Sequence, residues 1–109
     1  MQRLPKLIAA AELGAAAADL YTTPANTKTT LSACSVTNKT GAARNVTLAI
    51  RPAGGTARNV AFGMVVGAGE TRVVHGALAQ TIEAGGALVG QADAAGAVDI
   101  VVSAYETNP

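Results

Sequence analysis

Side chains that could act as nucleophiles or bases are few and lie far apart in the sequence. His75 is the single histidine and Cys34 the single cysteine. A nucleophilic triad needs a serine or cysteine beside a histidine that an acid orients, and Ser32, Ser35 and Ser103 lie outside any Gly-x-Ser-x-Gly turn. Cys34 lies among small residues of a predicted strand and is expected to be a buried thiol. We therefore predict no catalytic residue and no enzyme activity.

The acidic residues and glycines show no spacing typical of a metal or cofactor site. No two carboxylates are spaced like a paired acid and base, and no Asp-x-Asp calcium loop occurs. Residues 67–71 are rich in glycine, but no Lys-Ser/Thr pair follows them to hold a phosphate. The sequence predicts no cofactor, no metal and no small-molecule substrate.

Composition predicts one small domain with a thin core. The 109 residues include 25 alanines and 12 glycines, but one phenylalanine, two tyrosines and no tryptophan. A chain of this length forms one core, and valine and alanine bury little apolar area per residue. We expect a domain of marginal stability alone, with neighbouring subunits adding the missing contacts.

The charge pattern excludes several classes of partner. Eight basic and seven acidic residues are mixed along the chain, for a net charge of +1, which gives no basis for binding nucleic acid or an acidic membrane. No apolar run reaches the ~18 residues of a membrane span. Pro5 precedes the apolar run near the start of the sequence and Glu12 interrupts it, so we expect no secretory signal. The Asn-x-Thr triplets at 38–40 and 45–47 are then chance matches to the glycosylation pattern.

Turn residues recur at short intervals after residue 22, and the segments between them alternate as strands do. This pattern predicts an all-β fold, a small antiparallel β-sandwich of jelly-roll or immunoglobulin-like type. The sets predicted to face inward, each at the two-residue spacing of a strand, are Val46, Leu48 and Ile50; Val60, Phe62, Met64 and Val66; and Val98, Ile100, Val102 and Ala104.

Three further strands are predicted at residues 29–36, 71–74 and 87–92. In residues 29–36 the alternation puts Leu31 and Ala33 on one side and Cys34 and Val36 on the other. Both sides are then apolar, which is typical of a strand at a central position.

The alanine-rich N-terminal segment, residues 1–18, is predicted to be an extended arm or a first strand over residues 6–12. A short strand at 19–22 follows, within a sandwich domain of residues 19–109. A helix is the alternative for the segment, because alanine and leucine favour helices. As an arm, the segment would dock on an adjacent subunit. The residues predicted to make that contact are Leu4, Leu7, Ile8 and Leu13.

The arginines are scattered, about one to a strand or loop, without aromatic neighbours on which bases could stack. On the outward side of a sheet, arginines suit protein–protein contacts, where they are enriched. The interface residues predicted in the body of the domain are Arg51, Arg72 and Tyr105.

Several turn motifs occur in an order that resembles a family of small structural proteins of tailed bacteriophages. LYTTPANT at residues 20–27 precedes LSACSVTNKT at 31–40, and RPAGGT at 51–56 ends the next strand. AGET follows at 68–71, and IEAGG at 82–86 matches a later family loop except that Gly86 replaces an acid. With the closing strand at 98–106, the resemblance covers about residues 18–106.

The resemblance implies a β-sandwich virion component that decorates or cements the capsid, made in the host bacterial cytoplasm. For such a component we expect as partners copies of itself, in a homotrimer or another symmetric oligomer, and the major capsid protein. A tail or neck accessory protein is one alternative. The other is a module that binds a receptor or carbohydrate, for which Tyr21 and Tyr105 are the expected exposed aromatic residues.

Overall fold

The protein folds into two antiparallel β-sheets packed face to face. The computed structural model describes the backbone of residues 2–108 and the side chains of residues 5–107. Its elements in chain order are β1 (Gln2–Glu12), β2 (Ala18–Thr22), β3 (Lys28–Asn38), β4 (Arg44–Arg51), β5 (Arg58–Val66), β6 (Thr71–Val73), the 3-10 turn η1 (His75–Ala77), β7 (Thr81–Ile82), β8 (Ala87–Ala92) and β9 (Val98–Asn108).

The strand order is that of a jelly roll. Sheet 1 runs β1-β9-β3-β6, with β7 also paired to β3, and sheet 2 runs β2-β8-β4-β5. The chain forms one long hairpin with β4 and β5 at its tip, behind which β3 pairs with β6, β2 with β8 and β1 with β9. Rolling this hairpin brings β3 beside β9 and β4 beside β8. The predicted β-sandwich is confirmed, and of its two predicted types the jelly roll is observed.

The N-terminal segment is a strand of the sandwich. β1 pairs with β9 along its whole length, so the structure shows the predicted first strand and neither a free arm nor a helix. This pairing turns Ile8 into the core, and Leu13, just after β1, is 1% exposed. Both predicted contact residues are therefore unavailable to a neighbouring subunit. The side chain of Leu4, another of them, lies outside the described residues.

The middle of sheet 1 supplies much of the core. The inward side chains of β9, all buried as the alternation predicts, are Val98, Ile100, Val102 and Ala104. On the facing sheet, a Cβ at Gly90 would lie 2.6 Å from Leu20 Cδ1 and 2.8 Å from Leu13 Cδ2. A glycine in β8 therefore lets two leucines fill the space between the sheets.

An extra residue in β3 reverses part of the predicted facing of that strand. Its pairing with β9 shifts between Leu31 and Ala33, which leaves Ser32 as a β-bulge. Because side chains alternate with period two, one inserted residue exchanges the faces of all that follow. Leu31 and Cys34 consequently both face the core, whereas the prediction put them on opposite sides, and Ala33 is exposed.

Similar irregularities in β5 turn its aromatic ring outward. The pairing of β5 with β4 shifts twice, and Phe62, predicted to face the core, is 80% exposed. Gly63 adopts a φ of 59°, a left-handed conformation that favours glycine. A glycine inside a strand pattern is the sequence signal of such a bulge. Gly63 directly follows Phe62, so it marks the place where the side chain of Phe62 turns from the predicted inward side to the outward side.

Asn38, the first residue of one Asn-x-Thr triplet, is fully buried at the end of β3. Its Nδ2 donates to the carbonyl oxygens of Ala42 at 2.7 Å and Val66 at 3.0 Å. Its Oδ1 accepts from Thr40 N at 2.9 Å and Thr40 Oγ1 at 2.7 Å. All the side chain's polar atoms are thus bonded within the chain, and the triplet forms the turn between β3 and β4.

We expect Asn38→Ala to lower the free energy of unfolding by about 3 kcal/mol, because it leaves buried backbone groups without partners. Urea denaturation followed by circular dichroism measures the loss. Asn45→Ala, at the exposed first residue of the second triplet, is the matched control and should change the value by less than about 0.5 kcal/mol. Equal effects of the two substitutions would contradict this role of Asn38.

Candidate functional site

A network of polar side chains, here called the polar clamp, joins the two sheets at one end of the core. Glu106 accepts hydrogen bonds from Tyr21 Oη and, at 3.2 Å, from Lys6 Nζ. Thr29 Oγ1 donates to Glu106 at 3.3 Å and accepts from Thr23 Oγ1 at 2.9 Å. Tyr21 lies in β2 of sheet 2, while Lys6, Thr29 and Glu106 lie in sheet 1. The clamp therefore connects the sheets through side chains remote in sequence.

The ionisation of the polar clamp suits a structural contact. Burial alone would raise the pKa of Glu106, but hydrogen bonds from Tyr21 and Lys6 outweigh it and lower that pKa. Burial and the bond to Glu106 raise the pKa of Tyr21. Hydrogen bonds to Tyr21 and Glu106 raise the pKa of Lys6. Near neutral pH the carboxylate and the ammonium are both charged and paired, so neither is a free base or nucleophile.

We expect the free energy of unfolding of Glu106→Gln to fall less than that of wild type when the pH is lowered from 7 to 3. Because the folded-state pKa of Glu106 is lowered, its contribution is present above the unfolded-chain value of about 4.3 and is lost as pH falls through the folded-state pKa. Wild type should exceed Glu106→Gln by about 1–2 kcal/mol in unfolding free energy at pH 7, and the gap should shrink by pH 3. Urea titrations at both pH values measure it.

The control for this experiment is Glu83→Gln, because Glu83 forms an exposed ion pair with Lys28 at 3.7 Å. Exposed pairs contribute little, so this variant should follow the wild-type pH dependence. An unchanged gap between wild type and Glu106→Gln from pH 7 to pH 3 would contradict the assignment.

Both arginines predicted at an interface contact their own chain. Arg51 donates two hydrogen bonds to the Asp19 carboxylate, at 2.8 and 2.6 Å, and these lower the pKa of Asp19. The pair spans β8 from β4 to β2, across the outer side of sheet 2, where Val89 is buried. Arg72 donates to the carbonyl oxygen of Val65 at 2.8 Å and so joins β6 to β5.

The outer side of sheet 1 carries no charged side chain over three successive cross-strand rows. Strand register places the side chains of each row next to one another on adjacent strands. We call this surface the uncharged face. Its rows are Pro5, Tyr105, Thr30 and Thr81; Leu7, Ser103 and Ala33; and Ala10, Val101, Ser35 and Val73.

Three large apolar side chains are exposed on the uncharged face: Leu7 is 58% exposed, Val101 46% and Val73 45%. Isolated exposed hydrophobic residues are common, but a group on one uncharged surface is typical of a contact site. Of the predicted interface residues, Leu7 and Tyr105 lie on this face.

Charged residues lie beyond the two ends of the uncharged face. At one end Lys39 pairs with Glu12 and, at 3.1 Å, with Asp99. At the other end lies the Lys28–Glu83 pair. An uncharged centre with a charged border fits the depletion of charged residues at the cores of protein–protein interfaces.

The exposed aromatic residue differs from those predicted. Tyr21 is half-buried in the polar clamp, and Tyr105 is half-buried on the uncharged face. Phe62 instead lies on the outer side of sheet 2, beside a depression of about 230 Å³. The sequence signal that could have found it is Gly63, whose conformation places the bulge.

The single histidine and cysteine lie in different environments. His75 is exposed in η1. Cys34 is 2% exposed, and burial raises the pKa of its thiol to about 11. Residues 2–108 contain no group of three or more His, Cys, Asp or Glu side chains that could hold a metal ion. No helix within this range is long and apolar enough for a membrane span.

We expect Cys34 to react with a disulfide reagent at least 100-fold more slowly in the folded protein than in urea. At pH 8 a pKa of about 11 leaves about 0.1% thiolate, against about 24% for an unperturbed thiol. Absorbance during 5,5′-dithiobis(2-nitrobenzoate) labelling gives both rates. The double variant Cys34→Ser/Asn59→Cys, which moves the thiol to an exposed position on the outer side of sheet 2, should react rapidly when folded. Rapid labelling of folded wild type would contradict the prediction.

Comparison with known proteins identifies a shared fold. No family model and no curated protein matches the sequence. A solved structure described as a Bacillus endospore appendage that forms disulfide-linked pili aligns with a TM-score of 0.59 at 17% sequence identity. The alignment covers 98% of this chain and 87% of the appendage chain. At this identity the likeness concerns the fold.

Proposed function

We propose that the protein is a structural subunit that assembles with copies of itself through the uncharged face. The observation that carries the proposal is the absence of charge from three successive rows of that solvent-facing surface, which also exposes Leu7, Val73 and Val101. The centres of protein interfaces are depleted in charged residues in the same way.

The size of the outer side of sheet 1 suits an interface between two protein molecules. Strands β1, β3 and β9 have eleven residues each at about 3.3 Å per residue, and the short β6 and β7 share the fourth position. With strands about 4.8 Å apart, this side measures at most about 36 by 19 Å, or about 700 Å². Each partner in a standard interface buries about 800 Å². One copy could therefore cover this surface with few additional contacts. Two copies that pair through the same face form a two-fold dimer, whereas the homotrimer that the sequence suggests would place this face against a different surface of the next copy.

The more specific proposal is a virion protein of a tailed bacteriophage that decorates or cements the capsid beside the major capsid protein. The order of the turn motifs in residues 18–106 supports it, and jelly rolls are common in viral capsids. A tail or neck accessory protein is the alternative within the same class. Detection of the chain on purified particles at a fixed copy number tests the location.

A filament built from copies of the chain is a second candidate form of assembly, because the appendage chain of the same fold forms pili. The appendage pili are described as disulfide-linked, whereas the single cysteine here is Cys34 in the core. Assembly in the described fold would therefore be non-covalent and insensitive to reducing agents.

We expect Val101→Asp to weaken self-association at least about 100-fold, because it places an unpaired charge in the middle of the proposed interface. Val101 is half exposed, so the fold should persist. Sedimentation velocity over a range of concentrations measures the association. Asn59→Asp adds the same charge on the outer side of sheet 2 and should leave it unchanged. A monomeric wild type, or equal effects of both substitutions, would contradict the proposal.

A further inference from the structure

The depression beside Phe62 lies on the side of the sandwich opposite the uncharged face. Phe62 is the single phenylalanine, and its ring is 80% exposed. The bulge that turns it outward is fixed by Gly63, whose N–H donates to Thr47 Oγ1 at 3.1 Å. The exposed ring is therefore held by a specific backbone conformation and is not the result of a flexible terminus or loop.

Polar side chains surround the ring on the neighbouring strands. The depression is lined by Asn45 and Thr47 of β4, Gln91 and Ala92 of β8, and Asp93. Backbone hydrogen bonding connects these segments, since Asp93 N donates to the carbonyl oxygen of Asn45 at 3.1 Å.

Several polar atoms of the depression are available to a ligand. Gln91 Nε2 donates to the carbonyl oxygen of Ala15 at 3.1 Å, which fixes the amide and leaves Gln91 Oε1 as an acceptor. Within the described residues, the side chains of Asn45 and Asp93 are exposed and make no hydrogen bond. One amide and one carboxylate are thus free beside an exposed aromatic ring.

We propose that this depression binds a neutral carbohydrate, with one sugar ring stacked on Phe62. A sugar has an apolar face of C–H groups and an edge of hydroxyls. The negative face of an aromatic ring attracts the C–H groups, while carboxylate and amide groups bind adjacent hydroxyls, which both donate and accept. Small-ligand sites combine an apolar wall with a few placed polar groups in the same manner.

The same residues disfavour other classes of ligand. The lining contains a carboxylate and no basic side chain, so phosphate groups and nucleic acid would be repelled. A single carboxylate is too few ligands for a tight divalent cation site. Four polar side chains surround the single ring and leave little apolar surface. A side chain of a partner protein that contributes strongly to binding usually fills a pocket from which water is excluded, and this depression does not offer one.

The test titrates glucose, galactose, mannose and N-acetylglucosamine separately into isotope-labelled protein and follows backbone amide chemical shifts. A glycan array then presents the same sugars at high density. We expect at least one sugar to shift the amides of Asn45, Gly63 and Gln91, with a Kd in the millimolar range for a single ring. Absence of shifts with all four sugars at about 50 mM, together with an array signal no higher than background, would overturn the proposal.

Substitutions at the ring identify the site. Phe62→Ala should weaken sugar binding at least about tenfold, and Phe62→Trp should retain it. Asn59→Ala, at an exposed position of the same strand that pairs with Ala49 and not with a lining residue, is the matched control and should leave the affinity unchanged. Because Phe62 lies outside the core, all three variants should keep the wild-type thermal midpoint. Equal sugar affinity in Phe62→Ala and wild type would place the binding elsewhere and contradict the proposal.

Self-association is measured on the same variants, so that the two proposals fail separately. Phe62→Ala should leave the oligomer unchanged, because the uncharged face lies on the other sheet. If Phe62→Ala instead dissociates the oligomer and no sugar binds, Phe62 is a subunit contact and the carbohydrate proposal is wrong. If Val101→Asp has no effect on assembly but sugar binding persists, the carbohydrate site stands without the proposed interface.

Discussion

The positions at which extra residues enter the β-ladders determine which side chains this protein buries and which it displays. β9 runs through the middle of sheet 1, and the bulges of β1 and β3 lie on either side of its Ser103. These bulges turn Ile8 and Cys34 inward and leave Leu7 and Ala33 outward. A ladder without them would exchange the faces of half of each strand, and neither the present core nor the uncharged face would form.

The small size of the core side chains explains why the ionisable and polar side chains contribute to the stability of the fold. Most of the core consists of short aliphatic residues, whose burial stabilises less per residue than that of aromatic ones. The polar clamp, the Asn38 turn and the Arg51–Asp19 pair add contacts between segments far apart in sequence. Within the described residues, the side chains that could act as acids, bases or nucleophiles are therefore hydrogen-bonded, as Glu106 is, buried, as Cys34 is, or remote from the others, as His75 is.

The strands without inserted residues can be predicted from the sequence, whereas most of the β-bulges cannot. Alternation identifies the inward side of β9 and the extent of β8, because no residue is inserted there. The bulge at Ser32 has no marker, since serine is ordinary in strands, while the one in β5 is marked by Gly63. The polar clamp joins Lys6 to Glu106, one hundred positions apart, and such a contact depends on topology. For this reason the sequence could suggest an interface and a sugar-binding alternative, but not the uncharged face or the depression beside Phe62.

The small side chains that make the core thin also make the uncharged face suitable for assembly. Ordering a long side chain at an interface costs about 0.5–1.5 kcal/mol, and lysine, glutamate and glutamine lose the most rotamer freedom. The uncharged face consists of Ala, Ser, Thr, Val, Leu, Pro and Tyr residues, several of which have little or no such entropy to lose. In the proposed assembly, a second molecule would therefore meet a surface already fixed by strand pairing. In that assembly, the free energy of burying Leu7, Val73 and Val101 would be opposed mainly by the loss of rigid-body freedom.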